Sequence, residues 1–182
     1  SFKELFPQTI FLKGNHEDML MSFLGFEGNE GQVYLVNGGA DLLKSYGIER
    51  SDSIEHTRSD LLRVLPEKHL KFLQGLQSYV IAGKWVFAHA GLNPLRDLRH
   101  QIPSEIYWIR DEFIVNLHYF QVTVVFGHTP YENVLFHLPY KIGIDTGLVY
   151  GNKLSCLEIL GSKILQVERG KKEVKVLDFP AK

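Results

Sequence analysis

Phe11-Leu12-Lys13-Gly14-Asn15-His16-Glu17-Asp18-Met19 is the stretch on which the fold of this chain turns. Thr9 to Leu12 is a short β-branched and aromatic run that predicts a buried strand, and Gly14 breaks it. Asn15, His16, Glu17 and Asp18 then fall at the strand's carboxyl end, where open α/β sheets place ligands. They offer an amide oxygen, an imidazole and two carboxylates within one turn of chain. The same residues also suit a turn entering a helix, with Asn15 as N-cap and Glu17 and Asp18 at the positive end of the helix dipole. Two more histidines, His89 and His128, recur downstream in the same setting and favour the ligand site.

Composition bounds the rest. With 182 residues, 45% of them hydrophobic and 23% charged, the chain is long enough for one domain with a real core. A net charge of -1 with both signs scattered provides no basic stripe for nucleic acid. Cys156 is the only cysteine, so no internal disulfide forms and a reducing compartment is expected. Its neighbours in Leu154-Ser155-Cys156-Leu157 read as a strand, which predicts a buried, inert thiol. No apolar run approaches the length of a membrane span, and the first residues do not resemble a signal peptide. A soluble cytoplasmic protein is the expectation.

In chain order, Asp18–Leu24 predicts a short helix with Met19, Leu20, Phe23 and Leu24 inward. Gly28 to Gly39, rich in glycine and asparagine, predicts a loop, and residues 28–58 are expected to form a cap beside the site. Within it a short helix over Asp41–Tyr46 is closed by Gly47, and Ser51–Arg58 is a polar connection. Two helices follow at Ser59–Leu65 and Pro66–Leu76, the second with Pro66 in its first turn. Tyr79–Ala82 and Trp85–Ala88 bracket Gly83-Lys84 and predict a hairpin whose second strand runs into His89-Ala90-Gly91. Pro103–Phe113 predicts one amphipathic helix with Arg110 in its carboxyl half. Val122–Phe126 is the clearest buried strand and delivers Gly127-His128-Thr129-Pro130. Ile142–Thr146, Lys153–Leu160, Lys163–Val167 and an edge strand at Val174–Leu177 complete the pattern.

Three strands thus end in Asn15-His16, His89 and His128, each histidine within two residues of a glycine. Strand ends carrying imidazoles converge on one rim of a sheet, which is how a metal site is assembled from residues distant in sequence. Imidazole nitrogens with an amide oxygen suit manganese, iron, zinc or cobalt better than calcium, with magnesium also open. His56, His69, His100, His118 and His137 lie in helical or connecting stretches and carry no such signal.

Gly14-Asn15-His16-Glu17, His89-Ala90-Gly91 and Gly127-His128-Thr129-Pro130, in that order, resemble the later motifs of the calcineurin-like metallophosphoesterases. Asn37-Gly38-Gly39 with Ser45-Tyr46-Gly47, Trp108 to Phe113 and Ile144-Asp145-Thr146-Gly147 resemble stretches of one branch of that family. This is the phosphoprotein phosphatase branch in its bacterial form, which includes symmetrical diadenosine tetraphosphatases. The resemblance spans Phe11 to Leu160.

It implies an α/β fold, the four-layer αββα sandwich of the family, over a single domain 1–182. It further implies two divalent metal ions, manganese foremost, and attack on a phosphate ester by a hydroxide held between them. Asn15, His89 and His128 resemble the three ligands of the second metal, and His16 the catalytic histidine beside them. Arg110 resembles the arginine that forks onto phosphate oxygens, a task for which lysine is no substitute; on the residues alone it would be a helix-surface salt bridge. Asp145 either orients a ligand histidine or caps a turn, with the former preferred, and Glu17 is placed behind the ligands in the same way. The implied substrate is a phosphoprotein, with a dinucleoside polyphosphate as the alternative. From another class, a scaffold that serves as an interaction or metal-binding module without catalysis is also considered. Tyr34, Tyr46 and Tyr131 could stack on a substrate ring, although aromatic residues in a cap more often pack.

One departure stands out. The family begins with Gly-Asp-x-His-Gly and Gly-Asp-x-x-Asp-Arg-Gly motifs, which supply the first metal's ligands and the bridging aspartate, and neither occurs here. No aspartate or histidine precedes Asn15. The expectation is therefore a carboxyl-terminal portion of the family domain that lacks the first strands, needs a missing amino-terminal segment to complete its site, and is weak or inactive alone.

Overall fold

A computed structural model describes residues 2–28, 31–49 and 51–179. The chain divides into two compact units, residues 1–77 and 78–182.

The first unit is helical: α1 Phe2–Leu5, α2 Asn15–Phe23, α3 Gly39–Ser45, α4 Ile54–Val64 and α5 Glu67–Gln74. The predicted strand before Gly14 is reduced to one parallel bridge, Leu12 to Gln77, closed by Lys13 N–H to Gln77 O at 2.8 Å and Gln77 N–H to Phe11 O at 3.0 Å. Ile10, expected inside, is 51% exposed. With a single ladder partner on one side, the run has no sheet to bury it.

α2 begins three residues earlier than Asp18 because Gly14, in extended conformation, serves as N-cap and leaves Asn15 as the first helical residue. Met19, Leu20, Phe23 and Leu24 face inward as the spacing predicts. The expected loop from Gly28 to Gly39 contains a 3₁₀ turn, Gly31–Val36, whose Tyr34 and Leu35 are buried. Tyr34 packs on Phe23, centroid to centroid 5.2 Å. Gly31 allows this, since a Cβ there would stand 2.6 Å from the Phe23 amide nitrogen. Residues 29, 30 and 50 of the expected cap lie outside the described residues. The supposed polar connection Ser51–Arg58 already holds the start of α4: Ser53 is its N-cap and accepts from His56 N–H at 3.2 Å. Pro66 is the N-cap of α5.

The second unit carries two sheets. In the first, β1 Tyr79–Ala82, β2 Trp85–Ala88, β3 Thr123–Phe126, β4 Leu135–His137 and β5 Lys141–Gly143 are ordered β1-β2-β3-β5-β4. The predicted hairpin pairs Ala82 with Trp85 across Gly83, whose φ of 61° the two-residue turn requires. β2, β3 and β5 run parallel, and β3 lies between the other two, so Val124, Val125 and Phe126 are all buried. β4, which the sequence did not disclose, pairs antiparallel with β5. β5 stops at Gly143, short of the expected Thr146.

The second sheet, β6 Lys153–Glu158, β7 Lys163–Glu168 and β8 Val174–Asp178, is antiparallel throughout, with β8 an exposed edge. Cys156 is exposed, contrary to expectation. The period-2 alternation of β6 turns Ser155 inward and Cys156 outward.

The predicted helix over Pro103–Phe113 is broken. α6 runs Pro103–Trp108, Ile109 and Arg110 leave helical geometry, and α7 runs Asp111–Ile114. Ile106-Tyr107-Trp108-Ile109 is a run of aromatic and β-branched residues with poor helix propensity, and Asp111 and Glu112 favour a fresh N-terminus. Core residues Val86, Ala88, Leu92, Ile106, Phe113 and Phe126 knit these helices to the first sheet. The fold is thus mixed α/β. No helix among the described residues is long and apolar enough to cross a membrane.

Candidate functional site

Parallel pairing in register explains why His89 and His128 meet. Phe87 is opposite Val125, and each strand continues one residue before its histidine segment begins. Gly127 N–H then donates to His89 O at 2.8 Å, which seats the two strand ends side by side. β5 joins the same rim on the far side of β3, where Ile144 N–H donates to Phe126 O at 2.8 Å and brings Asp145 alongside.

His128 adopts φ 65°, a left-handed conformation that is unusual for a residue with a side chain. Thr129 N–H bonds back to Gly127 O at 2.7 Å, closing a tight three-residue turn around His128. The turn aims the imidazole across the strand end, and His128 Nδ1 lies 3.2 Å from His89 Nε2. Trp108 meets the His128 ring edge-on at 6.1 Å.

Two nitrogens each about 2.0 to 2.1 Å from one ion stand about 3 to 3.4 Å apart for angles between square and tetrahedral. The observed separation falls in that interval, so these imidazoles fit a shared divalent metal. The same contact also serves as a hydrogen bond if one of the facing nitrogens carries a proton. Among the described residues no group of three or more His, Cys, Asp or Glu forms a metal cage. The predicted set has an amide, Asn15, as its third donor.

Arg110 is brought to the rim by the helix break. Ala90 N–H bonds to Ile106 O at 2.9 Å, pinning α6 to the His89-Ala90-Gly91 segment. Arg110 Nη1 donates to His128 O at 3.3 Å and to Thr129 Oγ1 at 3.2 Å. Its side chain is exposed and its remaining N–H groups have no partner among the described residues. Neutral oxygens rather than a carboxylate hold it, so the helix-surface salt bridge is not what forms.

Gly91 makes the approach possible. Its φ is 136°, and a Cβ there would lie 2.3 Å from Phe113 Cδ1. The ring of fully buried Phe113 sits where any larger residue would intrude.

Asp145 caps a turn: its Oδ1 accepts from Gly147 N–H at 2.9 Å. A Cβ on Gly127 would be 3.6 Å from Asp145 Cβ and from His89 O, so the carboxylate stem borders the histidine segment. Tyr131 N–H bonds Asp145 O at 2.9 Å, and burial raises the pKa of the Tyr131 phenol.

In the first unit, Asn15 is buried and His16 exposed at the start of α2. Glu17 Oε2 accepts from Gly14 N–H at 3.0 Å, which gives it a helix-capping task. His16 stands beside the Gly38 turn, where a Cβ would be 3.8 Å from its Cε1. Burial holds the Tyr34 phenol well above its usual range, as expected of a core residue. Thr129 was not singled out from the sequence, although its hydroxyl directly follows His128 and helps anchor Arg110.

Neither a protein-family model nor a curated protein matches the chain. Among solved structures it is similar to the crystal structure of a protein provisionally named a diadenosine tetraphosphatase. The TM-score is 0.54 at 25% identity, covering 84% of this chain and 72% of that one. The likeness points to a metallophosphoesterase-like fold and an enzyme-like, hydrolytic role.

Proposed function

We propose that this chain carries part of the active site of a two-metal phosphoesterase. What supports it is the imidazole pair at 3.2 Å with Arg110 anchored on the backbone of its second histidine, in a fold similar to that of a named tetraphosphatase. His89, His128 and Asn15 would hold one divalent ion, manganese first among manganese, iron, zinc, cobalt and magnesium. When bound, the metals supply Lewis acidity and lower the pKa of the attacking water.

The chain's own residues do the rest. Arg110 spends one nitrogen on its anchor and presents the others to phosphate oxygens. His16, exposed at the start of α2, would donate the leaving-group proton or stabilise the departing oxygen. The four-layer αββα arrangement is part of the same proposal, as is a cytoplasmic location.

The bridging aspartate and the other metal's ligands have no counterpart among the family motifs in this sequence. A segment bearing Gly-Asp-x-His-Gly and Gly-Asp-x-x-Asp-Arg-Gly is therefore required for full activity. Of the two substrate classes, phosphoprotein and dinucleoside polyphosphate, the structural likeness favours the second.

Initial rates on diadenosine tetraphosphate, a phosphoserine peptide and p-nitrophenyl phosphate with manganese test this, using the 182-residue chain and the same chain joined to such a segment. The joined protein should turn over the dinucleotide fastest, and the chain alone should be slow. Arg110→Lys should cut kcat/KM by about tenfold or more through the lost fork. Brisk manganese-independent turnover by the chain alone would overturn the proposal.

A further inference from the structure

The first unit contains a cavity of 810 Å³ that no part of the proposed chemistry uses. Its size lies within the range of small-molecule pockets, about 300 to 1,000 Å³. Phe11, Leu20, Leu42, Leu65, Phe72 and Leu73 supply its apolar walls. Phe11 and Phe72 meet edge to face at 5.2 Å and fix one side.

Half of the polar residues at the cavity are cationic. Lys3, Lys68 and Lys71 line it together with a single carboxylate, Glu4. Lys71 is engaged by Glu67 at 2.7 Å, whereas Lys68 has no carboxylate partner among the described residues. Lys3 holds its ammonium 5.3 Å above the Phe72 ring, directly over the apolar wall. Tyr46 Oη and His69 Nδ1, 2.7 Å apart, add a polar pair to the lining.

We propose that this cavity binds a single-chain alkyl carboxylate, its tail against the leucine and phenylalanine walls and its head between Lys3 and Lys68. The apolar surface calls for a hydrocarbon body. Two available ammonium groups, offset by Glu4, suit one negative charge better than a polyanion. The site stands on geometry of the first unit alone and is independent of the phosphoesterase proposal.

Isothermal titration of the 182-residue chain with dodecanoate, below its micelle concentration, tests this. Dodecanol serves as the uncharged control and adenosine monophosphate as the anionic aromatic one. Dodecanoate should bind one to one and more tightly than either control. Lys3→Glu with Lys68→Glu should weaken it by about tenfold or more, as expected for two reversed charges near one carboxylate. Leu42→Trp, which fills the cavity, should abolish binding, and circular dichroism melting confirms that each variant folds. Absent or non-saturating binding would overturn the proposal. So would tighter binding of adenosine monophosphate, or an affinity that the charge reversals leave unchanged in folded protein.

Discussion

His128 holds a backbone conformation that side chains avoid, and it does so at the junction of β3 with the rim. Strain of this kind, of order 1 to 3 kcal/mol, persists where the surroundings over-determine it. Here the Gly127–Thr129 bond, the Arg110 anchor and the Trp108 edge supply that constraint. Asparagine tolerates positive φ well, so His128→Asn should leave the melting free energy within about 1 kcal/mol of the parent. Its manganese affinity should nevertheless fall by at least about tenfold, as measured by calorimetric titration. Gly91 is constrained in another way. Gly91→Ala drives a methyl into the Phe113 ring at a positive φ and should cost about 2 to 4 kcal/mol in urea denaturation. A loss below 0.5 kcal/mol, roughly the size of an unconstrained surface change, would mean that the packing around Phe113 is looser than described.

At the scale of elements, the segment between α6 and β3 is organised by a buried imidazole and a buried ammonium. His118 is sandwiched between Phe113 and Phe120, with centroids at 5.9 and 4.5 Å, and its Nε2–H donates to Tyr140 O at 2.8 Å. Lys141, fully buried in β5, donates to the carbonyls of Phe113, Ile114 and Asn116 at the end of α7. Burial lowers the pKa of His118, reinforced by Lys141 and His137 and opposed by the Tyr140 bond. The unfolded chain therefore binds more protons than the folded one between the depressed value and the ordinary 6.5. Stability contributed by His118 is full above that ordinary value and is lost as pH falls from it toward the depressed one. The urea midpoint should decline as pH drops below about 6.5, and His118→Gln should flatten that slope. An unchanged slope in the variant would assign the pH dependence to other groups.

Elements with strong periodicity were legible: the β1–β2 hairpin, β3, β6, β7, and the inward face of α2 all follow residue spacing. What escaped depended on contacts that spacing does not encode. Ile106, Ile109 and Phe113 fall at the spacing of one helical face, so periodicity reads a continuous helix and hides the break at Ile109-Arg110, where poor helix formers meet the acidic start of α7. β4 is three residues beside a proline and becomes a strand only because β5 offers an edge. The start of α4 could have been found, since Ser53 is a preferred N-cap residue and Glu55 places an acidic side chain in the first turn.

For the molecule as a whole, motif order singled out Asn15, His89 and His128 as one ligand set with Arg110 beside it, and within the second unit His89 and Arg110 each contact His128. The sequence could not reveal the His128 turn that brings the two facing nitrogens to 3.2 Å, because that geometry arises from strand register and a strained dihedral. Nor could it separate the two tasks weighed for Asp145, of which turn capping is the one the hydrogen bonds display. The central claim is that the imidazole pair is a metal centre, and pulsed electron paramagnetic resonance of manganese bound to the chain addresses it directly. Two directly coordinated imidazole nitrogens are predicted, falling to one in His89→Ala. A bound manganese with no nitrogen coupling, or a spectrum that His89→Ala leaves unaltered, would contradict it.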